Sequence, residues 1–331
     1  MDQRVTAIGH NLQKSRLMSK LRSGMAASFL KLLFLSAMSF VMLYPVLFML
    51  SSGFKSLADV YNPTVVWLPQ EFSLQPLKLA AEVMGYKNAV LKTLAMMLPS
   101  IALQLISVLL AGYGFARFSF RGSRLLFGLC LFTIIVPVQT YIIPLYTGFK
   151  SFDFFYLGRL AGLFTGEPLT VNLLGSHAVF YIQAALGMGI RSGLYIFIMR
   201  QFFRNMPKEL DEAAMVDGCN SFQTFVRIML PNTVPVIATV LVFSLVWYWN
   251  DFFQSSMYYR SDFTVSVHLT FLSSLLRTSN MVSGIAAQEL IFMREAILAC
   301  GCLITTLPLV VLYIIAQRFF TEGITRSGIV G

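Results

Sequence analysis

Glu212-Ala213-Ala214-Met215-Val216-Asp217-Gly218, followed ten residues later by Ile228-Met229-Leu230-Pro231, is a charged, capped stretch between two long apolar runs, Val179–Met199 and Asn232–Asn250. Asn205 is a candidate N-cap and Pro207 suits a first helical turn. Glu209, Asp211 and Glu212 crowd that turn, where the helix dipole favours negative charge. Ala213 and Ala214 carry almost no bulk, so another surface can approach their backbone. Gly218 offers a left-handed stop. Ser221 is placed to cap a second short helix carrying Phe222, Phe225, Val226 and Ile228, and Pro231 opens the next run. The pattern predicts a compact helix–turn–helix with an acidic, small-residue tip. From the residues alone, it reads either as a solvated tether or as a joint to a partner outside the bilayer.

Working outward, the composition is that of a membrane protein. Of 331 residues, 56% are hydrophobic and 12% charged, with a mean hydropathy of +0.71; soluble domains carry about 25% charged residues. The net charge of +10 is spread along the chain. No dense Lys/Arg run appears and the aromatics sit in apolar stretches, so nucleic acid is not an expected partner. Loops that retain Lys and Arg on the cytoplasmic side explain the excess.

Six stretches read as transmembrane helices: Phe29–Leu50, Thr93–Phe115, Leu125–Phe149, Val179–Met199, Asn232–Asn250 and Ala296–Gln317, with outer limits near 29–53, 90–115, 123–149, 178–202, 232–256 and 290–318. Twenty-two residues rise about 33 Å, enough for the hydrocarbon core. Backbone groups in lipid must be satisfied locally, so each stretch is expected as a helix. Arg4, Lys14, Arg16, Lys20 and Arg22 against Asp2 place segment 1–28 in the cytoplasm. Arg117, Arg121 and Arg124 do the same for the second loop, and alternation then puts loop 203–231 and tail 321–331 inside. The first span is too long for a signal peptide and no small-x-small site follows it. The fold class expected is therefore all-α: a six-helix membrane domain over 29–320, both termini cytoplasmic, with a helix–turn–helix between spans four and five.

Pro45, Pro99, Pro137, Pro144, Pro235 and Pro308 fall inside spans, where each removes a donor. Membrane helices tolerate such prolines, and gating use is the alternative. Cys130, Cys219, Cys300 and Cys302 make no disulfide framework, and Cys300-Gly301-Cys302 lacks redox or zinc spacing. His10, His177 and His268 are far apart and suggest no metal site.

Met206-Pro207-Lys208-Glu209-Leu210-Asp211-Glu212-Ala213-Ala214, with Asp217-Gly218, Phe225, Ile228 and Leu230-Pro231, resembles the EAA loop of binding-protein-dependent ABC importer permeases of the sugar type. Ala111–Arg117, Pro137-Val138-Gln139, Ile143–Tyr146, Gln201-Phe202-Phe203, Trp249–Phe252, Gln317–Phe320 and Gly323-Ile324 resemble the same subfamily. The likeness covers roughly residues 25–331 and points to the smaller permease subunit of maltose-type carbohydrate importers. It implies a second, related permease subunit, two ATP-binding subunits carrying MgATP, and an extracytoplasmic solute-binding protein, in a bacterial cytoplasmic membrane. It implies that Glu209, Glu212, Ala213, Ala214, Asp217, Gly218, Leu230 and Pro231 couple the spans to an ATPase. Two features depart from the pattern. The outer segment Lys150–Ser176 is long, and span four is rich in glycine (Gly187, Gly189, Gly193).

For the solute path the candidates are Arg191, Trp247, Tyr248, Asn250 and Asp251. Arg191 is ionisable within a span, which fits either a polar cavity or pairing with a carbonyl or a partner's acid. The aromatic and polar groups at 247–251 suit stacking on a sugar, and equally an interfacial belt. The chain has no G-x-x-x-x-G-K-[ST] phosphate loop, so it is not expected to be an enzyme or to hold a cofactor of its own. Alternatives are a permease for glycerol phosphates or another polar solute and, in a different class, an ion-coupled secondary transporter. The latter predicts buried acids and repeated halves, which are not evident.

Overall fold

The computed structural model describes residues 2–62, 64–153, 157–166, 169–278 and 287–327. Parts of the segments 150–176 and 255–289, and residues 328–331, lie outside the described residues.

In chain order the helices are α1 (Asp2–Gly53), α2 (Leu57–Tyr61), α3 (Gln75–Val83), α4 (Tyr86–Arg117), α5 (Ser123–Ile135), α6 (Val138–Lys150), α7 (Leu157–Thr165), α8 (Ala178–Ala185) and α9 (Ser192–Asn205). Then come α10 (Glu209–Val216), α11 (Ser221–Thr224), a π-helical turn (Phe225–Met229), α12 (Leu230–Asn232), α13 (Val234–Trp249), α14 (Phe253–Tyr258), α15 (Val265–Thr278) and α16 (Ala287–Ser327). Among the described residues there is no strand. Two isolated bridges, Lys55 to Phe72 and Phe152 to Val171, clip loops together.

Three of the six apolar stretches lie in unbroken helices long enough to cross a bilayer, within Ala27–Gly53, Tyr86–Arg117 and Met293–Gln317. Two of the others, expected as single helices, are broken. The third bends by 105° between α5 and α6. Its cause is Val136-Pro137: the ring of Pro137 pushes Val136 to an extended backbone (ψ 119°), and the missing N–H cannot continue the ladder. The fourth is interrupted over residues 186–191, where Gly187 (φ 72°) and Arg191 (φ 61°) are left-handed. The fifth, Asn232–Asn250, is one helix as expected, the 16 residues of α13 from Val234 to Trp249, and a 75° bend sets it off from Ser221–Asn232 before it. Pro45, Pro99 and Pro308, by contrast, lie within continuous helices.

Helix α4 is the axis. Its flanks enter all three apolar clusters: with Phe149, Phe180, Tyr248 and Tyr258 near one end, with Tyr195, Phe203, Phe225 and Met229 near the other, and with Ala80, Leu272 and Ile297 along α3, α15 and α16. Helix α9 lies closest to α4. A Cβ on Gly112 would stand 2.5 Å from Met199 Cβ and 3.1 Å from the Arg200 nitrogen, so the contact requires glycine. Helix α1 packs on α16, where Cys300 Sγ donates to the Gly53 carbonyl at 3.6 Å. The most apolar stretch of α1 buries nothing within the chain.

Candidate functional site: the 206–231 module and the break in span four

Helix α9 ends at Asn205, and the next helix begins after Lys208, not after an Asn205 cap. Lys208 makes no side-chain cap bond. The acidic first turn is as the sequence suggests, with Glu209, Asp211 and Glu212 at the positive end of α10. Its other end closes as a Schellman motif: Cys219 N donates to Ala214 O at 2.9 Å, Gly218 N donates to Met215 O at 3.0 Å, and Gly218 is left-handed at φ 80°. The second helix is capped by Asn220 rather than Ser221. Gln223 N donates to Asn220 Oδ1 (2.8 Å) and Asn220 N donates to Gln223 Oε1 (2.9 Å), a reciprocal capping box.

The module is bolted to the bundle. Arg117, the last residue of α4, lies 3.0 Å from Asp211 Oδ2 through Nε and donates from a terminal nitrogen to the Met206 carbonyl at 3.1 Å. Their side chains are only 9% and 15% exposed. Burial pushes the Asp211 carboxyl above its ordinary value; the Arg117 guanidinium pulls it down and Glu212 pushes it up again. Beside this pair the ring of Phe225, on the π-turn, packs 4.9 Å from Tyr113 and 6.3 Å from Phe203.

What faces away is a knuckle. Glu209, Glu212, Ala213, Asp217 and Gly218 are exposed, and Met215, Val216 and Phe222 are 62%, 87% and 68% exposed. Of the two alanines only Ala213 is outward. Ala214 is buried, and its small size serves packing inside the module. Leu230 is half-buried and Pro231 exposed at the bend into α13. The hook thus presents an apolar patch flanked by acids on its exposed face.

The solute-path candidates divide. Arg191 is exposed and its guanidinium lies 4.1 Å from the centre of the Trp247 ring, itself 41% exposed. Tyr248 is buried, its hydroxyl filling the space beside Gly189. Asn250 turns back to donate to Val246 O (2.9 Å), at the end of α13. Asp251 is a cap for α14: it accepts from Ser255 N (2.7 Å) and Ser255 Oγ (2.8 Å). Sequence reasoning missed Gln104 and Ser107, which hold the break in span four. Gln104 Nε2 donates to Ile190 O (2.8 Å) and Ser192 Oγ (2.7 Å), and Ser107 Oγ donates to Ala184 O (2.8 Å). The available signal was an amide in a span without charged residues. Among the described residues no group of three His, Cys, Asp or Glu is placed to hold a metal.

Residues 105–326 match the family model of binding-protein-dependent transport system inner membrane components. The chain belongs to that family. Among relatives of this permease family, protein LplC of Bacillus subtilis (strain 168) is 24% identical over 319 residues, covering 95% of this chain and 98% of LplC. The maltodextrin transport system permease protein MdxG of the same organism is 27% identical, covering 90% and 95%. In fold the chain is similar to a solved bacterial ABC transporter involved in the import of the acidic polysaccharide alginate, with a TM-score of 0.69, 19% identity, and coverage of 90% of this chain and 98% of that one. As a family member the protein is a multi-pass permease component of an ABC importer in the inner membrane. It is the membrane subunit, working with an ATPase and a solute-binding protein, and is not itself the ATPase.

Proposed function

We propose that this permease imports a sugar or oligosaccharide, pairing with a second, related permease above two ATP-binding subunits that carry MgATP. The chain crosses the membrane six times over 29–320, with segment 1–28, loop 203–231 and tail 321–331 in the cytoplasm. The observation that carries the reading is the exposed knuckle of Glu212, Ala213, Met215, Val216 and Phe222 on a hook tied to α4 through Arg117 and Asp211. An ATPase cleft gripping α10 moves Asp211, and the ion pair and the Phe225–Tyr113 contact pass that displacement to α4. Glu209, Glu212, Ala213 and Asp217 form the gripped face. Ala214 and Gly218 shape the helix and its stop, and Leu230-Pro231 set the bend into α13. The maltodextrin named for MdxG supports a carbohydrate as the solute.

The test is uptake by proteoliposomes holding all subunits, with ATP present or withheld. Uptake by the unaltered complex is expected to require ATP. Replacing Glu212 by Ala together with Gly218 by Val is expected to abolish co-purification of the ATPase and reduce uptake at least tenfold, while the two permeases still assemble. Uptake that ignores ATP and follows a proton gradient would end this reading, as would full assembly and transport by the double variant.

A further inference from the structure

We propose that Arg191 receives a negatively charged group of the transported solute, a carboxylate or a phosphate, so that the cargo is an anionic sugar. This rests on the importer reading above.

Depth comes first. Helix α9 runs 14 residues from Ser192 to Asn205, which lifts Arg191 about 21 Å above the cytoplasmic end. Gln104 precedes Arg117 by 13 residues on α4, and Trp247 follows Val234 by 13 on α13, about 20 Å in each case. Three helices therefore bring Gln104, Arg191 and Trp247 to one level, about 20 Å from the ends that carry the loop module, within a hydrocarbon core about 30 Å thick. At that depth an exposed guanidinium does not face lipid; it faces a polar path or another protein.

The backbone there has been bent to present it. Arg191 sits at φ 61° and ψ 18°, a left-handed conformation that a residue with a Cβ disfavours, although glycine occupies positions 187, 189 and 193 around it. Gln104 and Tyr248 brace the break from behind. Non-helical backbone at membrane depth is tolerated where it lines a cavity, and a half-helix beginning there points its positive end at anions.

The side chains at the break have open valences. The guanidinium carbon of Arg191 lies 4.1 Å from the centre of the Trp247 ring, and an exposed guanidinium offers a planar fork to a carboxylate or phosphate. Among the described residues no carboxylate pairs with it. Asp251, the acid nearest in sequence to Trp247, is occupied in capping α14. Beside the same break, Gln104 is fully buried and its Oε1 has no hydrogen-bond partner. An anion receptor and an exposed indole face together suit a sugar that carries an acid group.

The experiment uses the complete complex in proteoliposomes with three probes: trigalacturonate, a neutral galactose trisaccharide of the same linkage, and a hexose phosphate. ATP-driven uptake is expected for the uronate or the phosphate, and the two arms tell these apart. Arg191→Gln is expected to raise the KM for that solute at least tenfold, and Arg191→Lys to recover most of the loss. Preference of the unaltered complex for the neutral trisaccharide overturns the proposal, as does an unchanged KM in Arg191→Gln. Dissociation of the second permease on Arg191→Gln also overturns it, because the residue then binds an acid of that subunit. If maltodextrin enters with ATP while neither anionic probe does, this proposal falls and the sugar-importer reading stands; probe uptake that ignores ATP ends both.

Discussion

Arg117 holds two separate parts of the loop module, the Asp211 carboxylate and the Met206 carbonyl, from the last turn of α4. The two ends of this ion pair are not equivalent. Burial raises the Asp211 pKa despite the guanidinium, so its charge is carried in the folded state at a net cost. For an acid shifted upward, the stability it contributes falls as pH rises from the unfolded value through the folded one. Asp211→Asn is therefore expected to leave the thermal unfolding temperature of the purified complex unchanged or slightly raised at neutral pH, with the difference from the parent vanishing below the ordinary carboxylate range. Arg117→Met strands a buried carboxylate and should cost about 3 kcal/mol, read in the same melts. The contrast is diagnostic for transport too: Asp211→Asn should lower uptake per ATP hydrolysed, because the strut slackens while the fold stands.

At the scale of elements, the hook is kept stiff by local hydrogen bonds. Asn220→Ala removes one half of the capping box and should cost about 1 kcal/mol, seen as faster amide exchange across 221–230. Gly218→Ala meets no atom within 4 Å, so its penalty of about 1 kcal/mol is backbone strain alone. Much of this module was legible in the sequence: Gly218 as a left-handed stop and the acidic first turn are properties of single residues and their neighbours. The caps were read less well: Asn205 is a good capper by type but the helix starts after Lys208, and Asn220 with Gln223 three residues on carried a capping-box signal that the neighbouring Ser221 masked. The breaks were harder still. Pro137 breaks its span whereas Pro99 and Pro308 lie within continuous helices, and residue type alone does not separate the cases. The pairing of Arg117 with Asp211 joins residues 94 positions apart, a separation that one sequence read alone does not bridge.

For the whole molecule, α4 sets the spacing of everything around it. Gly112→Ala is expected to push α9 away and cost about 1–3 kcal/mol, visible as a lower unfolding temperature and poorer yield. Gly114→Ala, two residues on, has open space and should be silent in the same assay. Around this axis the burial is uneven, and α1 is its extreme, with its most apolar stretch unburied and its main seat against α16. That arrangement has a history in time. The ribosome delivers α1 first and α16 last, about 240 residues later, which at ordinary elongation speeds is a wait of roughly 12–50 s. Through that interval the newborn first rod must rest in lipid without its mate, and its side chains between Phe29 and Leu50, bare of acids and with Lys31 as the sole base, let it do so.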